Sequence, residues 1–150
     1  MHQFSAFAIS LIVLLAASVA QAQPDGIKEI IDKNLLLEKD GKFREAYAEW
    51  AKFMKIPGIS GANLADVKVQ KIWFTAYFYQ TRTLYKTALH DKDIKDRPKL
   101  IAGAAKSIVD LESKSQTGWK IAGPMFEEFF KEAESDQLKK AYDKLKSERK

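Results

Sequence analysis

Apolar residues recur along this chain at intervals of three and four, the period of an α-helix. No segment sustains the two-residue alternation of a half-buried strand. Asp25-Gly26 opens a first segment in which Ile27, Ile30, Ile31, Asn34 and Leu35 fall at helical spacing until Asp40-Gly41 ends it. A second segment runs from about residue 43 to 56, with Phe43, Ala46, Tyr47, Trp50, Phe53 and Met54 on one broad face, and Pro57-Gly58 stops it. Asn63, with Asp66 three residues on, reads as a variant capping box that starts a third helix over about residues 64 to 89. The middle turns of that helix are apolar almost all round, with Trp73, Phe74, Tyr77, Phe78, Tyr79, Leu84 and Tyr85. This pattern predicts a central helix buried on more than one side.

Asp96 can cap a fourth helix with Pro98 in its first turn and Leu100, Ile101, Ala104, Ala105, Ile108 and Leu111 as its stripe, ending near residue 112. Ser113 to Gly118 reads as a polar turn, and Gly123-Pro124 as the start of a short helix carrying Met125, Phe126, Phe129 and Phe130. Ser135 or Asp136 caps a last helix with Leu138, Ala141, Tyr142 and Leu145 on its face, and the charged tail from Lys144 is expected to fray. The expected fold is all-α, about six helices arranged as stacked antiparallel hairpins or an irregular bundle.

Ahead of these helices, Phe4 to Ala20 is apolar apart from Ser5, Ser10 and Ser18, and Ala20-Gln21-Ala22 has the small residues that signal peptidase accepts. Cleavage after Ala22 is expected. It leaves residues 23–150 as one helical domain outside the cytoplasm, periplasmic or secreted. The competing reading is an uncleaved anchor, although spanning hydrocarbon takes ~20 apolar residues and this run is shorter. No lipid anchor is expected, because no Cys follows the run.

Composition narrows the chemistry. The chain contains no cysteine, which excludes thiol catalysis, zinc–thiolate sites and iron–sulfur clusters. Past the leader His90 is the one histidine, so multi-histidine metal sites are excluded as well. The formal charge of +5 is carried entirely after residue 22 and is well mixed, so it permits an anionic partner without demanding one. No cofactor and no metal are expected, and the protein is read as a non-enzyme.

Residues 27 to 57 resemble one tetratricopeptide repeat. The first-helix slots hold Ile30, Lys33, Asn34 and Leu37, with Lys33 and Asn34 departing from the usual pair. The second helix is similar through Gly41-Lys42-Phe43-Arg44-Glu45-Ala46, Trp50 and Pro57. Gly41 permits a tight turn, Ala46 lets two helices approach, and Trp50 fills the groove between them. A looser copy has Trp73, Ala76, Tyr77 and Gln80 in its first helix and Ala104 with Ile108 in its second, with about 15 extra residues between. Residues 119 to 148 resemble a capping hairpin.

The resemblance implies a concave face that binds a protein or peptide partner. Carried over by position, the groove would be lined by Lys28, Ile31, Leu35 and Glu38 in the first pair, and by Lys71, Phe74, Phe78, Thr81 and Arg82 in the second. Aromatics beside Lys and Arg could take an apolar anchor and a carboxylate. Phe74 and Phe78 fit either that groove or the core. Two further readings stay open. The basic run Lys139, Lys140, Lys144, Lys146, Arg149 and Lys150 suits an anionic polymer, envelope polysaccharide or nucleic acid. The aromatic middle of helix three, beside His90, suits a small-ligand carrier or an enzyme.

Overall fold

The first helical hairpin closes on a glycine in the left-handed region. The computed structural model describes residues 27–59 and 65–149. In it α1 (Lys28–Lys39) and α2 (Phe43–Phe53) are joined by Asp40, Gly41 and Lys42, with Gly41 at φ 75°. The Lys42 N–H donates to the Leu37 carbonyl at 2.8 Å and the Gly41 N–H to that of Glu38 at 3.0 Å, which satisfies carbonyls that the helix end leaves open. A 3₁₀ turn (Pro57–Ile59) follows α2. Then come α3 (Val67–His90), α4 (Arg97–Lys114), α5 (Gln116–Phe129), a second 3₁₀ turn (Ala133–Ser135) and α6 (Asp136–Ser147). The described residues are thus all-α, with six α-helices and no strand.

α3 is the spine. At 24 residues it is about 36 Å long, and it packs against α2, α4, α5 and the first 3₁₀ turn. Its buried residues face every direction, from Phe74, Ala76 and Tyr79 to Thr83, Tyr85 and Ala88. On the α2 side the fully buried Trp50 stacks on Tyr79, ring centroids 5.3 Å apart and planes 12° from parallel. On the α5 side Phe78 meets Phe126 edge to face at 5.0 Å. α4 contributes Ile101, Ala104, Ala105, Ile108, Val109 and Leu111 to the same core, and α6 closes on α4 with Leu138 and Tyr142 buried.

Several helix ends differ from the sequence reading. Asp66 itself caps α3, accepting from the Lys68 and Val69 N–H groups at 2.7 and 3.2 Å. The expected cap Asn63 lies outside the described residues, as does the leader, residues 1–22. α5 begins seven residues before Gly123, because Ser115 supplies the cap by accepting from the Gly118 N–H at 3.0 Å. The segment expected as a turn is therefore helix, and Pro124 sits inside it on an exposed face. Gly118 is there for packing. A Cβ at that position would come within 2.6 Å of Leu111 Cδ1 and against the Phe74 ring. α6 stays helical through Ser147, past the point where fraying was expected. No helix among the described residues is long and apolar enough to cross a membrane.

Candidate functional site

The helices meet through clusters of polar side chains as well as through the core. Where α1 passes α3, the buried Glu38 carboxylate accepts from Arg82 at 2.9 and 3.2 Å and from the Thr83 hydroxyl at 2.7 Å. The Arg82 guanidinium also lies 5.8 Å from the centre of the Phe129 ring. At the far end of α3, His90 stacks on Phe43 and bonds the Glu134 carboxylate, which Lys86 also approaches at 3.1 Å. Arg44 pairs with Asp91 beside them. Burial pushes the Glu134 carboxyl up, but the bonds from His90 and Lys86 outweigh it and hold the group below its ordinary value. Between α4 and α6, Glu112 accepts from the Tyr142 hydroxyl and from Lys146, both at 2.6 Å. Asp110 pairs with Lys106, Arg149 and Lys114, which hold its carboxyl well below the usual range.

The residues read as a partner groove separate into two sets. Ile31, Glu38, Phe74, Phe78 and Thr81 are buried. Phe78 is covered by Phe126 and Phe129 of α5, and Phe74 lies over Gly118. α5 supplies that cover, so both aromatics are core. Arg82 is largely buried and committed to Glu38. Lys28, Leu35 and Lys71 remain exposed. The structure therefore brings Glu38 and Arg82 together, and it leaves Leu35 and Lys28 on a different surface from the aromatics.

The other two readings meet comparable geometry. Within the basic run of α6, Lys139 pairs with Asp143, Lys140 with Asp136, Lys146 with Glu112 and Arg149 with Asp110, so most of its charge is already matched. The aromatic middle of α3 is packed ring on ring. Trp73 meets Phe74 at 5.1 Å and Tyr77 at 5.5 Å, and the Tyr77 hydroxyl donates to the Ser107 carbonyl at 2.8 Å. Burial raises the Tyr77 phenol above its ordinary value. Among the described residues no group of three His, Asp or Glu side chains is placed to hold a metal ion.

What remains is α1. Its inner face, Ile31, Asn34 and Glu38 with Ile27 just ahead of it, is buried. Leu35 and Leu36 stand 40% and 59% exposed on the outer side. Leu36 was not singled out from the sequence, although three consecutive leucines, 35 to 37, span more of a helix circumference than one neighbour can cover. Glu134 gave no such signal, because only the fold brings it to His90. No protein family matches the chain, and no characterised protein or solved structure is significantly similar to it.

Proposed function

We propose that the protein is an exported helical-hairpin module of tetratricopeptide type that binds another protein and catalyses no reaction, and that the outer face of α1 makes the contact. The observation that carries this reading is the exposure of Leu35 and Leu36 on a helix whose opposite face is buried. Large apolar side chains set among exposed charges, here Lys28, Asp32 and Lys39, have the make-up of a small protein contact with a polar rim. The repeat resemblance supports the same reading, since Gly41 makes the turn and Ala46 and Trp50 are both buried. The aromatic positions of α3 contribute to it as the support on which α1 and α2 sit.

The test is capture by the immobilised protein from the extracytoplasmic fraction of its source, comparing the natural chain with a Leu35→Glu/Leu36→Glu variant. Both substitutions fall on exposed positions, so the far-ultraviolet dichroism of the variant should match that of the parent. Loss of a specific protein from the variant supports α1 as the contact. Unchanged capture removes it. The mass of the purified protein checks export, with Gln23 expected as the first residue.

A further inference from the structure

We propose that the protein met by the outer face of α1 is a second copy of this chain, paired antiparallel about a twofold axis between Leu35 and Leu36. The inference rests on the reading of α1 as a contact face and names its occupant. Positions 29, 32, 35, 36 and 39 follow the spacing that places residues on one side of a helix, and all five are exposed. Set this stripe against itself with the axis between the two leucines. Leu35 then faces the partner copy's Leu36, and Leu36 faces its Leu35. The same rotation sets Asp32 opposite the second copy's Lys39. Asp32 and Lys39, on either side of the leucines, thus meet the opposite sign, twice over by symmetry, as an isologous interface requires, while Lys28 on the same side falls past the end of the partner copy's α1.

The groups are available. Lys39 makes no ion pair with any described residue, and Asp32 is held by the exposed Lys28 alone. The register is unforced, because burial of Ile31, Asn34 and Glu38 against α2 and α3 fixes which side of α1 points outward. Size sets the strength. A 12-residue helix is about 18 Å long, and one helix face covers less than the roughly 1,200–2,000 Å² of a standard stable interface. The dimer is therefore reversible and appears with concentration.

Sedimentation equilibrium on the protein produced from the full chain, its amino terminus read by mass spectrometry, tests the pairing. The expected result is a monomer–dimer equilibrium that Leu36→Lys abolishes. Asp32→Lys alone, or Lys39→Asp alone, puts like charges opposite each other at two symmetry-related places. Each should weaken the dimer about tenfold. Mixing the two single variants should restore association. In the mixed pair the new lysine faces the new aspartate, and the remaining Lys39 faces the remaining Asp32. A monomer up to about 1 mM overturns the proposal. So does association that ignores residues 32 and 39, which is how an apolar leader would behave, and so does a mixture that fails to recover. If self-association is absent while Leu36→Glu still costs the protein a different partner, self-pairing falls and α1 as a contact face stands.

Discussion

Glu38 on α1 and Arg82 on α3 form a largely buried ion pair, 2.9 Å between Oε2 and Nη1, with only 6% and 14% of the two side chains exposed. Thr83 completes the carboxylate's shell. Such a pair contributes little when compared with apolar residues of similar volume, yet losing one half strands a charge in the interior. Arg82→Leu should therefore cost about 3–5 kcal/mol of folding stability. Glu38→Leu with Arg82→Leu should recover most of that loss. Urea unfolding of the two single variants and the double variant measures the difference. Equal losses in all three would mean that the pair's environment, and not the unpaired charge, sets the cost.

Asn34 offers the opposite case. It is 1% exposed, and neither its amide oxygen nor its amide nitrogen finds a hydrogen bond among the described residues, nor does the Nε1 of the buried Trp50. An unsatisfied buried polar group costs about 1–3 kcal/mol. Asn34→Leu, with the same number and branching of side-chain heavy atoms, should raise the urea midpoint while the slope stays constant. A destabilised variant would show that the amide is bonded in solution.

Gly118 lies under the Phe74 ring with Leu111 beside it. Gly118→Ala would ordinarily help a helix, since alanine is the better helix former by about 1 kcal/mol. Here the added methyl meets a ring held in the core. Overpacking of about 1–3 kcal/mol should offset or exceed the gain. Thermal unfolding should show no stabilisation in Gly118→Ala, whereas Gly103→Ala, on an exposed face of α4 with open space around its Cα, should stabilise.

Asp110 is one of the carboxylates that make the fold sensitive to acid. Its carboxyl is held below its ordinary value of about 3.9 by Lys106 first, then by Arg149 and Lys114. A depressed folded-state carboxyl contributes stability above the unfolded value and loses it as pH falls through the folded value. Stability should therefore fall below about pH 4. Asp110→Asn should be less stable than the parent near neutrality and should converge with it in strong acid. Parallel acid titrations followed by dichroism check the convergence.

Local signals carried much of the architecture. Gly41 as a turn, Asp96 as a cap with Pro98 behind it and α3 as a central helix all follow from residues close together in sequence, and the structure has each of them. Trp50 is buried, and it stacks on Tyr79 of α3. The start of α5 did not follow, because Gly118, Gly123 and Pro124 read as punctuation. Two of them serve packing instead. Gly118 admits Phe74, and a Cβ on Gly123 would come within 2.9 Å of the Trp119 indole. Pro124 is tolerated on an exposed face. That one boundary also bears on the groove. The longer α5 brings Gly118 under Phe74, whereas Phe78 is covered by Phe126 and Phe129, which the expected shorter helix already carried. The His90–Glu134 and Glu38–Arg82 contacts join residues 44 positions apart, and no local pattern announces a pair at that distance.

The order in which the helices pack bears on how the chain reaches this structure. α1 meets α2, α2 meets α3, α3 meets α4 and α5, and α4 meets α5 and α6. The main packing contacts thus join helices that are neighbours in sequence or next neighbours, and no long stretch of chain must be closed before its ends gain anything by meeting. The entropic cost of loop closure is therefore incurred in small steps. Chains with contacts this local fold in roughly microseconds to milliseconds. α3, which packs against α2, α4 and α5, is the helix through which these local contacts join.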